Sequence, residues 1–596
     1  MCGIVGFIKN NVKFNEENLN EMLDKIRHRG PDNLSTYVQD NVYFGHARLS
    51  IIDLSDSSNQ PMLYKHYSII FNGEIYNYVE LRMELEELGH RFETNGDTEV
   101  LLHAYEQWGI ECQNKFRGMW AFVLYDKREN IIFGSRDRFG IKPLYYLHTK
   151  DAFAFASEIK PLLTLQSIPS PNMAIVSSYL VTNLINFDKQ TFFNDIYQLE
   201  GGTYFFMDLK EKKINFERYY DLSKVIKNKE TNITVDFEEV LDTSFKIHTR
   251  SDVLLGSCLS GGLDSSTVTA KVSELMKEGN LKSITAKSIS PETDESHFAK
   301  VVADHLQLDW HIVEPGYEYF KNNIEECLYY QEEPVSGPSI FMQYTVMQKA
   351  KELGVKVMMD GQGGDETLLG YERYYSWMLS DLLRNKQYGL FLKEYKRITK
   401  HSKLTGITLM KQYMYFNNFK LRVKYLKKRQ RLLKGEYMNL AISNLANLGY
   451  ATKSLEEMQI LELTKTNLPN LLKNEDRNSM LASIEARVPF VDHEVIEKAL
   501  QLPLNKKINN GYTKYCLREY VSEILPDTIS WRKDKKGFEA PTDIWIKNHR
   551  KIIEDYIQHS KLIKELYISL PKFEQLSYKE SWKLYNLALW EKQYFS

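Results

Sequence analysis

Cysteine is scarce in this chain. Its 596 residues include five cysteines, namely Cys2, Cys112, Cys258, Cys327 and Cys516. None of them forms a CxxC pair or another spacing typical of a metal site, and their scatter is unlike a disulfide framework. This usage favours a reducing compartment, and we expect the protein to be cytoplasmic.

Long apolar runs and a surplus of one charge are also missing. No run approaches 18 apolar residues, so no transmembrane segment is predicted. The apolar start at residues 4–8 has neither a basic region before it nor a cleavage site after it, so no signal peptide is expected. Lysine and arginine number 77 against 79 aspartates and glutamates, which gives no electrostatic case for a nucleic-acid partner. The length predicts at least two domains.

The most informative feature that is present lies at the N-terminus, where Cys2 follows the initiator methionine. If Met1 is removed, Cys2 carries a thiol and a free α-amine on one Cα, so a nucleophile and a base arrive together. A thiol with a pKa of about 8.5 is only roughly 3% ionised at pH 7, whereas roughly 10–20% of an α-amine is neutral and can accept the thiol proton. Many chains begin Met-Cys by chance, so the rest of the sequence decides.

Residues 1–210 are predicted to form a first domain. Short alternating apolar runs predict strands, helices are expected near residues 16–27 and 78–88, and strands in two blocks with helices outside favour a layered sandwich. Four polar segments interrupt this pattern. They are a turn-rich loop at 27–32, an arginine at a strand edge in 46–53, a tight turn at 72–77 and a segment before a helix at 96–99. Each alone is equally consistent with a surface turn, a rim charge, a hairpin or a helix cap.

Together with Cys2, these segments resemble the class II glutamine amidotransferases, the N-terminal-nucleophile family, over roughly the first 200 residues. The resemblance implies an αββα sandwich and a glutaminase site in which Cys2 Sγ attacks the side-chain amide of glutamine. Asn72 and Gly73 would hold the oxyanion, Arg48 the α-carboxylate and Asp97 the α-ammonium group. The implied catalytic residues are Cys2, Asn72 and Gly73. The implied glutamine-binding residues are Arg48, Asn72, Gly73, Glu74 and Asp97.

A charged, irregular stretch at 211–235 is predicted to be a linker, and 236–540 a second domain in which strands alternate with helices. Residues 253–259 predict a buried strand, which runs into Ser-Gly-Gly-Leu-Asp-Ser-Ser at 260–266, and a helix is expected from about 267 to 276. A strand, a Gly-Ser loop and a helix N-terminus together form a cradle of backbone N–H groups for an anion. This loop is not a Walker A motif because no lysine follows its glycines.

The same string resembles the pyrophosphate loop of ATP pyrophosphatases, which transfer AMP and release pyrophosphate. The resemblance implies a doubly wound parallel sheet, with Asp264 and Asp365 holding Mg²⁺ on the pyrophosphate and Lys514 neutralising the departing phosphates. Helix capping is the alternative role for the two aspartates, and a plain surface position is the alternative for the lysine. The implied ATP-binding residues are Leu259, Ser260, Gly261, Gly262, Asp264, Ser265, Gly361 and Lys514.

A glutaminase domain followed by such a domain resembles the glutamine-hydrolysing asparagine synthetases along nearly the whole chain, and Ser-Ile-Glu-Ala-Arg-Val-Pro-Phe-Val-Asp at 483–492 matches them further. The resemblance implies that Mg·ATP activates the side-chain carboxylate of aspartate as an acyl-adenylate. Ammonia carried through an internal tunnel then attacks the carbonyl and expels AMP. Glutamine, ATP and a carboxylate acceptor would be the small-molecule substrates, no prosthetic group is expected, and a homodimer is a possible assembly.

Gln362 departs from the family pattern. Many members carry a glutamate at its place, where a carboxylate takes a proton from the attacking ammonia, and a glutamine cannot do so. Glu366 is close by in the sequence, and 331–339 is another variable segment. Both features resemble a longer bacterial branch that also amidates sugar acids or other carboxylates, so another acceptor is the alternative to aspartate. A regulatory protein that has lost catalysis is a third reading, and the intact Cys2, pyrophosphate loop and Asp365 argue against it.

Two further segments are predicted to be helical. Residues 371–455 form an insertion, and within it a basic amphipathic run at 420–431 is consistent with contact to anionic lipid or to a lipid-linked acceptor, or with a solvated helix face. Residues 541–596 form a C-terminal tail that is expected to dock on the second domain.

Overall fold

A computed structural model of the chain describes residues 2–10, 13–228, 236–276, 281–533 and 539–595. In the N-terminal part of the described chain, strands form two antiparallel sheets of six strands each. The strands are Gly3–Lys9 (β1), Asn33–Gln39 (β2), Val42–Arg48 (β3), Met62–Tyr64 (β4), Tyr67–Ile75 (β5), Gly118–Asp126 (β6), Ile131–Arg136 (β7), Tyr145–His148 (β8), Ala152–Ala156 (β9), Ile196–Gln198 (β10), Thr203–Asp208 (β11) and Lys213–Arg218 (β12). From edge to edge, the orders are β10-β8-β9-β1-β3-β2 and β12-β11-β7-β6-β5-β4.

The two sheets stack because alternate residues of a strand point to opposite faces. Ile4 and Ile8 of β1 lie in the core between the sheets, whereas Val5 and Phe7 face outward and share a core with Leu19. A second helical layer, which includes Leu81, Leu85 and Val100, covers the other sheet. These layers are the predicted αββα sandwich. Its helices are Glu16–Lys25 (α1), Tyr78–Glu87 (α2), Asp97–Trp108 (α3), Cys112–Lys115 (α4), Ile159–Leu163 (α5) and Met173–Thr182 (α6).

The end of the first domain differs from the prediction. Strand β12 pairs antiparallel with β11 from Thr203↔Arg218 to Asp208↔Lys213, so the sheet extends beyond residue 210. Its charged, largely exposed residues are those of an edge strand, and such a composition resembles a linker in the sequence. The helix Leu222–Asn228 (α7) follows, and the part of the predicted linker at 229–235 lies outside the described residues.

The second domain is built on a five-stranded parallel sheet of order β15-β14-β13-β16-β17, with strands Leu255–Cys258 (β13), Lys282–Ala286 (β14), Asp309–Val313 (β15), Val357–Met359 (β16) and Glu485–Arg487 (β17). A short hairpin pairs Ile508–Asn509 (β18) with Tyr512–Thr513 (β19). The helices are Phe237–His248 (α8), Leu263–Leu275 (α9), Ser296–Leu306 (α10), Tyr317–Gln331 (α11), Ser339–Glu352 (α12), Gly364–Thr367 (α13), Tyr374–Arg384 (α14), Tyr388–His401 (α15), Gly406–Asn417 (α16), Phe419–Arg429 (α17), Gly435–Asn447 (α18), Leu455–Leu461 (α19), Leu468–Leu481 (α20), His493–Gln501 (α21), Leu504–Lys507 (α22), Tyr515–Val521 (α23), Asp527–Ser530 (α24), Thr542–Asn548 (α25), Arg550–His559 (α26), Lys561–Leu566 (α27) and Tyr578–Phe595 (α28).

Helices cover both faces of this parallel sheet, as predicted. Val357 and Met359 of β16 share a core with α8 and α9, whereas Met358 between them packs with Met347 of α12 on the other face. The chain runs outward from β13 in one direction and from β16 in the other, so the order reverses between these two central strands. Ligands of open parallel sheets bind at the carboxyl ends of the strands at such a point.

Residues 371–455 contain α14 to α18, and α17 carries the basic run. The Arg422 guanidinium of α17 is buried and lies 4.7 Å from the centre of the Tyr450 ring, so one side of this helix faces the protein. Among the described residues, no helix has the length and apolar character needed to cross a membrane. The C-terminal helix α28 also packs on the first domain, since the Trp590 ring lies 5.2 Å from that of Phe193.

Candidate active sites

Cys2 lies immediately before β1 and is buried. Its backbone nitrogen, which becomes the α-amine if Met1 is removed, donates a hydrogen bond to Asn72 Oδ1 at 3.2 Å. Burial raises the pKa of the Cys2 thiol, so the sulfur needs a nearby base to become a nucleophile. The backbone nitrogen of Cys2 would act as this base, and Asn72 of the opposite sheet fixes its position.

Asn72 and Gly73 lie on β5 rather than in the predicted turn. The strand continues to Ile75, and its register pairs Asn72 with Ala121 and Gly73 with Trp120. Asn72 Nδ2 is buried and has no hydrogen-bond partner among the described residues, which leaves a donor for an oxyanion. A Cβ at Gly73 would overlap the Met119 carbonyl oxygen, so only glycine fits. The polar residues in this segment made the strand hard to predict from the sequence.

Arg48 and Asp97 are held on two sides of this site. The Arg48 guanidinium, at the end of β3, donates to Ser55 O and to Asn59 Oδ1, both at 2.7 Å. Asp97 lies in the first turn of α3, where Gly96 is the N-cap, and its Oδ2 accepts from Ile75 N at 2.9 Å. Its carboxylate therefore hydrogen-bonds to the backbone of β5 and is not the N-cap of its own helix. Burial raises the pKa of Asp97 to about 6.

Glu74 joins the surroundings of Asn72 and Asp97 to the second domain. Its Oε1 lies 3.7 Å from Nη2 of Arg487, which itself donates to Glu485 Oε1 at 2.6 Å. Burial, together with the charges of Glu485 and Asp97, raises the pKa of Glu74 well above its ordinary value. Three buried carboxyl groups face a single guanidinium in this cluster, so an added cation is favoured there.

Arg29 makes a second link between the domains. Its Nε donates to the carbonyl oxygen of Cys2 at 3.1 Å, and its two Nη atoms bind the carboxylate of Asp476 at 2.8 and 3.0 Å. Nη1 also lies 3.0 Å from Glu158 Oε1, and all of these groups are buried. Arg29 belongs to a segment that the sequence singled out, but its partner on α20 is 447 residues away and gave no local signal.

The predicted pyrophosphate loop follows β13 at the point where the strand order reverses. Gly261 adopts a left-handed conformation with φ of 76°, and a Cβ there would lie 2.5 Å from Ala299 N. Ser260 Oγ and Ser265 Oγ are 2.9 Å apart and close the loop. Leu259 is buried and its N–H donates to Ile284 O at 3.0 Å. Because α9 begins at Leu263, earlier than predicted, Asp264 and Ser265 lie in its first turn with Gly262 as the N-cap.

Lys514 brings the two predicted metal ligands together. Its buried Nζ contacts the Asp264 carboxylate and lies 2.5 Å from Asp365 Oδ1. The backbone of Gly361 packs against Asp264 and Ser265. Two carboxylates beside a phosphate-binding loop are the oxygen ligands that suit Mg²⁺ carried by a nucleotide. The residues present therefore fit a Mg·ATP substrate.

The place of Gln362 holds two carboxyl groups that the sequence did not single out. Asp360 follows β16, and its carboxyl group contacts that of Glu475 on α20. The side-chain amides of Gln362 and Gln343 hydrogen-bond to Glu475. Burial and the neighbouring Asp360 raise the pKa of Glu475 well above its ordinary value, and burial also raises that of Asp360. The Cys258 thiol also contacts Asp360. Two touching carboxyls cannot both ionise readily, so the pair shares a proton.

Glu366, the other carboxylate near Gln362 in the sequence, has different partners. Its Oε1 accepts from Tyr371 OH at 2.7 Å and from the Asn467 amide. Burial, with the neighbouring charge of Asp365, raises its pKa to about 7. This carboxylate is engaged away from Gln362.

Family models match both halves of the chain. A glutamine amidotransferase domain model matches residues 1–220, and an asparagine synthase model matches residues 236–592. The chain belongs to the asparagine synthase family. It combines a glutamine amidotransferase domain with an ATP-using synthase domain, as an ATP-dependent amidotransferase does.

Relatives of this asparagine synthase family member carry different names, some of asparagine synthetases and others of amidases. Glutamine-hydrolysing asparagine synthetase 1 of Bacillus subtilis (strain 168) is 32% identical over 94% of this chain and 90% of its own. Amidase chry2 of Gibberella zeae is 29% identical over 93% of this chain and 91% of its own. Among solved structures, a glutamine phosphoribosylpyrophosphate amidotransferase from B. subtilis aligns with 54% of this chain and 92% of its own, at 13% identity and a TM-score of 0.30, too low to support an inference.

Proposed function

We propose that this protein is a glutamine-dependent asparagine synthetase, which converts aspartate, ATP and glutamine to asparagine, AMP, pyrophosphate and glutamate. The observation that carries the proposal is the convergence of Asp264, Asp365 and Lys514 on the Gly-Ser loop, in a chain whose Cys2 is held against Asn72. A phosphate-binding centre and a candidate thiol nucleophile in one molecule suit the transfer of nitrogen from glutamine to an adenylated carboxylate.

In the first half-reaction, Cys2 Sγ attacks the side-chain carbonyl carbon of glutamine and its proton passes to the Cys2 α-amine. Asn72 Nδ2 and the Gly73 N–H stabilise the oxyanion, a contribution of roughly 3–4 kcal/mol per donor in comparable sites. The Cys2 α-ammonium group returns this proton to the amide nitrogen, the C–N bond breaks and ammonia leaves. Water then hydrolyses the thioester to glutamate. Arg48 binds the α-carboxylate of glutamine, and Asp97 with Glu74 binds its α-ammonium group.

In the second half-reaction, an oxygen of the acceptor carboxylate attacks the α-phosphorus of ATP and pyrophosphate leaves. Mg²⁺, as part of the substrate, neutralises charge on the phosphates. The loop N–H groups from Ser260 to Ser265 bind the departing pyrophosphate and Lys514 pairs with its charge. Asp264 and Asp365 would hold the cation.

Ammonia then attacks the acyl carbon, a C–N bond forms and AMP leaves with the bonding electrons. The nitrogen must lose a proton in this step, and Gln362 cannot accept it. We assign this role to the Asp360–Glu475 pair, which carries one shared proton and can accept a second. Glu475 contacts the Gln362 amide, so the pair borders the place where other family members carry a carboxylate.

The competing proposal is an amidotransferase with the same chemistry and another acceptor, such as a sugar acid. Gln362 and the relatives named amidases favour it. The acceptor carboxylate is what distinguishes the two proposals.

The deciding assay is Mg·ATP-dependent pyrophosphate release with glutamine, with aspartate, a sugar acid or no acceptor, and mass spectrometry of the products. Asparagine, AMP and glutamate formed together only with aspartate are the expected result. Glutamate release without asparagine at any aspartate concentration would reject asparagine synthesis. An amidated sugar acid in that assay would support the alternative.

A further inference from the structure

A cluster of metal-ligating side chains lies on the outer helical layer of the first domain, and neither half-reaction uses it. His90 precedes α3, while His103 and Glu106 lie one turn apart on that helix. His90 Nδ1 and His103 Nδ1 are 2.9 Å apart, and Glu106 Oε2 lies 3.8 Å from His90 Nδ1. All three ligand atoms fall within 4.8 Å of one another.

The other ring nitrogens indicate which atoms carry protons. His90 Nε2 lies 2.9 Å from Gln107 Oε1, and His103 Nε2 faces Glu99 Oε1 at 3.7 Å. Gln107 Oε1 is an acceptor, so His90 Nε2 is the protonated nitrogen of its ring and His90 Nδ1 carries a lone pair. The 3.7 Å between His103 Nε2 and Glu99 Oε1 is too long for a hydrogen bond, and this Nε2 has no hydrogen-bond partner in the part of the chain that the structure describes. The lone pair of His90 Nδ1 therefore faces either a proton on His103 Nδ1 or a cation held between the two rings. Metal-bound histidines typically donate their other N–H to such oxygens.

Glu106 supplies a third ligand atom. Its Oε1 is 2.5 Å from Lys65 Nζ, whereas its Oε2 is buried and has no hydrogen-bond partner among the described residues. The rings of Tyr64 and Phe92 pack on His103, with centroids 4.4 and 4.5 Å away, and shield this side of the cluster.

We propose that His90, His103 and Glu106 bind a divalent cation of the zinc class, which ties the segment after α2 to α3. Two imidazoles and one carboxylate are a typical zinc ligand set, and water would fill the fourth position. The imidazole planes cross at 84°. A tetrahedral zinc ion with Zn–N bonds of about 2.0–2.1 Å needs the two nitrogens about 3.3 Å apart, so the rings would separate by roughly 0.4 Å on binding.

A metal-free arrangement competes with this site. If His103 is protonated at Nδ1, this N–H donates directly to His90 Nδ1, and His90 Nε2–H keeps its hydrogen bond to Gln107 Oε1. That arrangement joins the two rings without a cation, leaves His103 Nε2 without a partner among the described residues and predicts no specific zinc binding.

Zinc titration of the full chain separates the two arrangements. After removal of metal with a chelator, wild type, His90→Gln and the exposed control His148→Gln are titrated with ZnCl₂ in excess Mg²⁺, which occupies the carboxylates of the synthase site. Wild type and the control should each bind one zinc equivalent that raises the unfolding temperature, and His90→Gln should bind it at least tenfold more weakly. Equal zinc binding by wild type and His90→Gln would overturn the proposal.

Two further measurements keep the test decisive if His90→Gln folds poorly. X-ray absorption of the zinc-loaded wild type should show two imidazole nitrogens and one carboxylate oxygen at about 2.0–2.1 Å. Sulfur ligands, or no imidazole, would reject the site. Gln107→Glu should tighten zinc binding because a carboxylate accepts the His90 Nε2–H more strongly, and unchanged or weaker zinc binding would contradict the assignment.

Discussion

Replacing Glu475 with glutamine tests the assignment of the proton acceptor for ammonia. The change keeps the size of the side chain and its contacts with the Gln343 and Gln362 amides, but it removes one carboxyl from the pair with Asp360. General-base catalysis typically contributes roughly 10²–10⁴-fold, so amide formation should slow by about that factor, equivalent to about 3–5 kcal/mol. A partial loss at the low end is expected if Asp360 alone retains some basicity.

The assay separates adenylation from amide formation. Adenylation is measured as acceptor-dependent exchange of labelled pyrophosphate into ATP, and amide formation as product released with saturating ammonium chloride. Glu475→Gln should leave the exchange rate within about twofold while amide formation falls. Restoring a carboxylate with Gln362→Glu in the same chain should recover much of the lost rate.

Glu366→Gln is the matched control, because that buried carboxylate bonds to Tyr371 and Asn467 instead. It should not reduce amide formation selectively. An equal fall in exchange and amide formation in Glu475→Gln would show that Glu475 only supports the nucleotide loop. An unchanged rate of amide formation would refute the assignment outright.

Three other outcomes are expected. Cys2→Ala should abolish synthesis with glutamine and leave synthesis with ammonium chloride nearly intact, as measured by initial rates with each donor; equal loss with both would contradict separate sites. The KM for glutamine should rise as the pH falls through about 6, to about tenfold at pH 5, because the buried Asp97 gains its proton and no longer pairs with the α-ammonium group. In glutaminase assays, Asp97→Asn should show a high KM that does not depend on pH. A KM profile like that of the wild type in this variant would exclude Asp97 from glutamine binding. Asp476→Asn should lower the free energy of unfolding by about 3–5 kcal/mol in urea titrations, since it leaves the Arg29 guanidinium buried without its main partner. A change below about 1 kcal/mol would mean that Glu158 alone is enough to pair with the buried guanidinium.

The parts of the fold that local pattern determines could be predicted. Alternation around Ile4 to Ile8 and the glycine loop after β13 depend on neighbours within about ten residues. The helix after that loop was also predicted, although it begins at Leu263, earlier than expected. The polar residues of β5 obscured a strand because they point into a site, and the charges of β12 obscured an edge strand. In both places the residue types suit water or a ligand while the backbone is held by a neighbouring strand.

Contacts between distant segments could not be predicted. Asp476 and Arg29 are 447 residues apart, and the residues around each of them do not indicate that the two pair. The contact between Glu475 and Asp360 also joins residues that are far apart in the sequence. Predicting it would require the rotation of α20 about its own axis relative to the end of β16. One sequence shows which residues can ionise, but their pairing depends on how the sheets and helices pack.

Helix α20 contacts both candidate sites through adjacent residues. Successive residues on an α-helix are about 100° apart, so neighbours project in different directions. Glu475 projects toward Asp360 at the end of the parallel sheet, and Asp476 binds Arg29, which holds the carbonyl oxygen of Cys2. A shift or rotation of this helix would therefore move the carboxyl pair and the support of the nucleophile together. In the proposed function, the helix that positions the proton acceptor for ammonia also anchors, through Arg29, the residue that releases the ammonia. No separate segment is then needed to couple the two sites.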